Sequence, residues 1–212
     1  TGYEEEMFGF DVIVGNPPYV NITQIEKGNL SYFEKTYSSA KYGRYDLYVL
    51  FIEKSLKIIK KNWITSLIIP DKICYQKYGT NIRKIILENA FINELLDCSN
   101  IKIFDQAVVD NIILTISKKK NIWNTNLKVI QKSFDDFIET NINQNIFFKF
   151  ENYTRRTKIT NETLKIIDKI EIKSISLKEI CYISFGMQPW KLEKFVFNSI
   201  KNSERLNEHI SS

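Results

Sequence analysis

The tetrapeptide Asn16-Pro17-Pro18-Tyr19 carries the residue types and order in this chain that can do chemistry. A proline fixes its own φ, lacks an N–H, and pushes the residue before it out of the helical region. Asn16 and Pro17 each precede a proline, so both are expected to be extended, which leaves the Pro17 carbonyl free of a local turn and facing outward. The Asn16 amide offers an oxygen acceptor beside it, and two such acceptors match the two hydrogens of one planar NH₂ group. Tyr19 adds a flat face for stacking. The same four residues could serve only as a rigid turn that ends a strand. The apolar run before them and the aromatic after them favour the chemical reading.

Such a loop has to be held by elements around it. Residues 10–14 are short, bounded by Gly15 and apolar except for Asp11, and read as a buried parallel strand. Ligands of open α/β sheets sit beyond the carboxyl ends of such strands, which is where the tetrapeptide lies. A polar, aromatic-dotted stretch over 21–44 follows, longer than a routine connection. Asp46 then reads as the N-cap of a helix over 47–60, with Glu53 four residues before Lys57 and Lys60 and Lys61 at its C-terminus. The pattern next predicts a strand over 63–69 stopped by Pro70, a helix over 81–88 capped by Thr80, and strands near 92–97 and 107–116. Alternation of this kind argues for an α/β domain with a mainly parallel sheet, and the closing pair without a long crossover suggests an antiparallel strand. Residues 118–126 read as solvated turn and 127–131 as one more short strand. Over 135–161 the pattern weakens, a helix is expected over 161–170, and residues 181–185 alternate like a strand.

Composition sets the outer bounds. The 212 residues are 43% hydrophobic and 26% charged, ordinary for a folded soluble chain. No apolar run approaches the ~18 residues of a membrane span. Cys74, Cys98 and Cys181 are scattered without CxxC spacing and the single histidine is His209, which argues against a disulfide framework or structural zinc and for reduced thiols in a cytoplasmic setting. The net charge of +5 is compatible with a polyanionic partner. Residues 151–212 hold 11 Lys/Arg against 8 Asp/Glu, so basicity leans toward the C-terminal third, with Arg155 and Arg156 as candidate phosphate contacts or as a plain basic surface.

The chain resembles the amino-methylating DNA adenine methyltransferases of the TaqI type and the methylase region of type IIG restriction-modification enzymes. The tetrapeptide is joined in this likeness by YDLYVLFIEKSLKIIKK at 45–61, SLIIPDKICYQKYG at 66–79, IRKIILEN at 82–89 and IFDQAVVDNIILTI at 103–116, in the family's order. LKEICYISFG at 177–186 looks like the opening of a target-recognition domain. The resemblance implies the C-terminal part of a Rossmann-like, S-adenosylmethionine-dependent methyltransferase sheet over 1–150, a connecting segment over 151–174, and the beginning of the DNA-specificity domain over 175–212. It also implies that Asn16 and Pro17 accept the hydrogens of an adenine amino group and that Tyr19 and Phe104 stack on the extruded base. Pro18 and Phe51 would border the adenine ring of the cofactor. Duplex DNA would be the partner, in a bacterial or archaeal cytoplasm.

One family feature is absent. The seven glycines never fall in a GxG, and Glu4 to Glu6 lack the strand and glycine turn of a cofactor-binding loop. The cofactor half is therefore expected in a segment N-terminal to Thr1, and this chain by itself is expected to be inactive. Because the same tetrapeptide occurs in methyltransferases acting on release-factor glutamine and on ribosomal RNA guanine, those remain rival substrates. A non-catalytic DNA-binding or assembly role is a further alternative.

Overall fold

In a computed structural model, which describes residues 9–104, 109–118, 125–155, 157–175 and 177–181, the apolar run after Gly9 forms strand β1 (Phe10–Gly15). It lies parallel to β2 (Ile59–Pro70), with Val12 beside Ile64 and Gly15 beside Leu67. The expected parallel pairing is present, but β1 is not buried: Phe10, Val12 and Val14 are 59%, 57% and 77% exposed. Among the described residues it is an edge strand with one neighbour, and the face bearing Val12 and Val14 is exposed at this end of the sheet.

Between these strands come α1 (Lys27–Thr36) and α2 (Tyr48–Ile58). Helix α2 buries Tyr48, Val49, Ile52 and Leu56, a stripe at helical spacing, and packs against β2. Asp46 does not cap it. The helix starts behind Leu47 with no side-chain cap, because the Asp46 carboxylate is taken by Asn21 and Tyr78. Lys60 and Lys61 belong to β2 rather than to the helix end, since the strand already pairs at Ile59 with Phe10. Glu53 and Lys57 do form the expected ion pair, at 2.8 Å.

The chain continues through α3 (Thr80–Asn89), β3 (Phe91–Asp97), β4 (Asn111–Ser117), β5 (Thr125–Ser133) and β6 (Asp136–Ile142). Thr80 is the first residue of α3, not its cap; its hydroxyl donates back to the Lys77 carbonyl. The six strands are ordered β1-β2-β4-β3-β5-β6. Strands β1, β2, β3 and β5 run one way, while β4 and β6 run against them. The α/β class and the mainly parallel sheet are those expected, and β4 is the antiparallel strand foreseen after 92–97. It begins at Asn111, and positions 107 and 108 lie outside the described residues. Strand β6 was not foreseen, because an exposed edge strand with Phe137 and Ile138 facing solvent lacks the in-out alternation of a half-buried one.

Cross-strand register assigns the two faces. Leu67, Leu114, Leu95 and Leu127 line up across β2, β4, β3 and β5 and are all buried, as are Ile69 and Ile112 beside them. The opposite face carries Val12, Val14 and Ile64 exposed, then half-buried Ile68, Ile113 and Leu96. Helix α3 packs on α2 and β3, and its buried residues are Ile82, Arg83, Ile86 and Leu87.

The described residues fall into two compact units divided between Lys165 and Ile166, with the whole sheet in the first. Helix α4 (Asn161–Lys173) runs three residues beyond its expected end, and α5 (Leu177–Ile180) is a single turn. Cys181 is a bend, and the rest of the strand expected over 181–185 lies outside the described residues. Among the described residues no helix is long and apolar enough to cross a membrane.

Candidate active site

The tetrapeptide leaves the carboxyl end of β1, at the edge of the sheet where β2 and β3 also end and β4 begins. Asn16 and Pro18 are exposed, Pro17 is buried and Tyr19 is half-buried. Neither the Asn16 amide nor the Pro17 carbonyl is engaged by another described residue. Two acceptors therefore stand unused at a strand end, and the buried proline ring between them anchors the loop.

Tyr19 is held from two sides. Its hydroxyl donates to the Ile68 carbonyl of β2 at 3.2 Å, and its ring meets Tyr48 of α2 edge-on, with centroids 6.1 Å apart and planes at 80°. Burial pushes its hydroxyl up to about 12, so it stays a neutral donor. Beyond it, Val20 to Ile22 pairs with Tyr45 to Leu47: the Leu47 N–H donates to the Val20 carbonyl and the Ile22 N–H to the Tyr45 carbonyl, each at 2.9 Å. The long stretch over 21–44 is thus an ordered excursion clamped at its base. It has its own small core of Ile22, Tyr37, Ala40 and Tyr45 against Leu50.

Of the other residues singled out in the sequence, Phe51 is 48% exposed on α2 and presents a ring that the core does not use. Phe104 is half-buried, on the connection from β3 to β4 at the same sheet edge. The described aromatic pairs join Tyr19 to Tyr48 and do not join it to Phe104. Arg155 is no phosphate contact: it is 2% exposed, its guanidinium donates to the Arg83 carbonyl and lies 6.0 Å from the Phe147 ring. Burial brings it down to about 10. Arg156 lies outside the described residues.

Long-range contacts that sequence reading did not find surround this edge. An open cleft of about 350 Å³ is lined by Asp71, Asp97, Asp110, Tyr75 and Arg155 among others. Burial, reinforced by the charge of Asp110 and then of Asp97, raises the Asp71 carboxyl above its usual range. Asp97 is buried and satisfied by Ser99 and Thr157. The second missed constellation is the pair of tyrosines Tyr48 and Tyr78 with Asp46. The cue for it was the acidic residue next to two tyrosines in YDLY, read as a helix cap because caps are local and this contact is not.

Residues 3–104 match the Eco57I restriction-modification methylase family. That stretch carries the tetrapeptide, α2 and the strands on either side, and it bears out the resemblance drawn from the motifs. RM.Eco57I of Escherichia coli, a type II restriction enzyme and methyltransferase, is 31% identical over 54% of this chain and 12% of its own length. The type II methyltransferase M.BstVI of Geobacillus stearothermophilus is 32% identical over 55% of this chain and 20% of its own. The chain therefore spans a fifth or less of these relatives. A structure from a type I restriction-modification system shares the fold, with a TM-score of 0.53 at 10% identity, covering 84% of this chain and 44% of that one.

Proposed function

We propose that this chain forms the base-handling part of an enzyme that transfers a methyl group from S-adenosylmethionine to the exocyclic amino group of adenine in duplex DNA, within a restriction-modification enzyme. The observation that carries it is the pair of unengaged acceptors, Asn16 and Pro17, at the end of β1 in a segment that matches the Eco57I methylase family.

An adenine amino nitrogen is a poor nucleophile because its lone pair is delocalised into the ring. The Asn16 side-chain oxygen and the Pro17 carbonyl, accepting its two hydrogens, localise that lone pair on nitrogen and aim it. S-adenosylmethionine, when bound, supplies an electrophilic methyl. Of the described residues, Pro18 and Phe51 fit that group, since both present exposed rings that can flank its adenine. The chain has no glycine loop to hold the rest. Extruding the target base costs a few kcal/mol, which stacking on Tyr19 and Phe104, at about 1–3 kcal/mol per base, offsets.

The uncovered face at β1 supports a companion reading: another segment of the complete polypeptide covers it and brings the cofactor loop. Parallel α/β sheets are ordinarily covered on both faces, and the matched relatives are at least five times as long as the part they share with this chain.

Asn16→Ala in the complete enzyme tests the base assignment. Losing one preorganised contact of this kind costs roughly 10²–10³ in rate, so methylation should fall by at least about a hundredfold while cofactor affinity holds. Turnover within about tenfold of the wild type, ~1.4 kcal/mol of barrier, rejects the assignment. Mass spectrometry of the wild-type product decides between adenine in DNA and the rival amines.

A further inference from the structure

The clamp below the tetrapeptide has a carboxylate at its centre. Asp46 accepts the Asn21 amide on Oδ1 at 2.9 Å and the Tyr78 hydroxyl on Oδ2 at 3.2 Å. The Tyr78 and Tyr48 hydroxyls are 2.5 Å apart. Each hydroxyl has one hydrogen, and that of Tyr78 is committed to Asp46, so Tyr48 is the donor in the pair. Burial keeps both hydroxyls protonated, well above the ordinary phenol range. Tyr48 is fully buried and its ring bears edge-on against Tyr19. On the other side, Asn21 spends its amide oxygen on the Thr23 N–H at 3.1 Å and the Thr23 hydroxyl at 2.8 Å, so only its NH₂ faces Asp46. Every polar atom in the chain from Thr23 to Tyr48 thus has one role, and the arrangement reaches Tyr19 from both sides: through the backbone at Val20 and through the Tyr48 ring.

We propose that Asp46 is a positioning residue that sets the angle of the Tyr19 ring and the path of the chain leaving the Asn16 to Tyr19 loop, acting through Asn21 on one side and Tyr78 and Tyr48 on the other. It rests on the base-handling role given above for that loop. Asp46 touches neither the base nor the cofactor; it acts on rate through Tyr19.

The geometry supplies its own control, an exchange of the two side chains. In Asp46→Asn either the new NH₂ meets the Asn21 NH₂, and turning Asn21 to accept it abandons the Thr23 cap, or the new amide turns over and donates to Tyr78, which must then donate to Tyr48 and leaves the buried Tyr48 hydroxyl hydrogen with no acceptor among the described residues. Asn21→Asp alone sets two carboxylates face to face. With both changes, the amide now at position 46 donates to the carboxylate now at position 21 and accepts from Tyr78, while that carboxylate still caps Thr23.

In the complete enzyme, each single variant is expected to lower kcat at least about tenfold with KM for DNA and S-adenosylmethionine within about threefold, and the double variant to recover kcat to within about threefold of wild type, because small misplacements of a catalytic group cost rate more than binding. A duplex carrying 2-aminopurine at the methylated position should show the fluorescence of an extruded, stacked base with the wild type and the double variant and a different emission with the singles. A single variant that keeps kcat within about twofold, or a double variant that folds and binds DNA but stays as slow as the slower single, overturns the proposal. Should the single variants fail to fold, Tyr78→Phe decides in their place, since it keeps the ring and removes only the hydroxyl: a fall in kcat with unchanged KM supports the role, and unchanged kcat overturns it. Wild-type enzyme that methylates some group other than adenine would overturn the base assignment instead, and the same kcat comparison on that substrate still judges Asp46.

Discussion

Glu53 is 3% exposed yet carries a charge, which a side chain of this type does only when its oxygens are fully used. Burial alone would raise its carboxyl, but hydrogen bonds from Lys57, from the Ser39 hydroxyl and N–H and from the Ser38 N–H outweigh it and hold the group below its usual range. These donors tie the short turn at Ser38–Tyr42 to α2 and so fix the far end of the excursion clamped by Asp46. Because the folded value is lowered, the stability Glu53 contributes is present above its ordinary value of 4.5 and is lost as pH falls through the lower folded one. Glu53→Gln should cost about 2 kcal/mol at neutral pH, in the range for hydrogen bonds to a charged group, and the gap from wild type should close as unfolding is followed from pH 7 down into the acid range. A gap that stays constant across that range would mean the charge is not what holds the turn. The sequence shows Glu53 and Lys57 as a helix pair, and the pair is there. That the carboxylate faces inward, toward a loop fifteen residues back, follows from tertiary packing and leaves no local trace.

At the level of elements, Gly79 shows where reading from sequence stops. It sits at the turn before α3 with an ordinary backbone, and nothing in its neighbours calls for glycine. A Cβ there would come within 2.5 Å of Arg83 Nη1 and 3.0 Å of the Ile73 carbonyl. Arg83 cannot give way, because that same nitrogen donates to the Ile73 and Gln76 carbonyls at 2.7 and 2.8 Å and its Nε to the Asn152 carbonyl at 3.0 Å. The guanidinium, fully buried without a carboxylate partner among the described residues, joins the turns after β2 at Ile73 and Gln76, the start of α3 at Thr80 and the 150s segment at Asn152. Gly79→Ala should therefore destabilise the chain by about 1–3 kcal/mol, the usual range for an overpacked site, read as a lower urea midpoint at unchanged m-value; an unaltered midpoint would show that Arg83 is free to move. The elements whose signal is periodic and local, β1, α2, β3 and α4, were legible within a few residues, as was the tetrapeptide. What was not legible depends on partners far along the chain: the exposure of β1, the edge strand β6, the buried role of Arg155, and Asp46 as a clamp instead of a cap.

At the scale of the whole sheet, the described residues cover one face near β1 and leave the other exposed. The leucines of β2, β4, β3 and β5 are buried, on a sheet where α2 packs on β2 and α3 on β3, while Val12, Val14 and Ile64 are exposed on the other face beside the candidate site. A large apolar side chain left exposed forgoes roughly 1.5–3 kcal/mol of burial, and three neighbours on one patch form a surface that covering chain would stabilise. The open face bears on the cofactor as well. On the proposed function, Pro18 and Phe51 would flank the adenine of S-adenosylmethionine, and the sequence has no GxG loop to hold the rest of it. Two rings, one of them a proline, can flank only the adenine end of that ligand and leave its sulfonium, ribose and amino-acid groups without a matching contact. Calorimetry with the 212-residue chain should therefore show no saturable binding of S-adenosylmethionine up to millimolar concentration. On the companion reading proposed above, the complete enzyme should bind it, and should show slower amide exchange in β1 than the 212-residue chain, since the strand would gain cover from the same segment that brings the cofactor loop. Saturable binding by the chain alone would place the cofactor contacts within these residues and separate the open face from them.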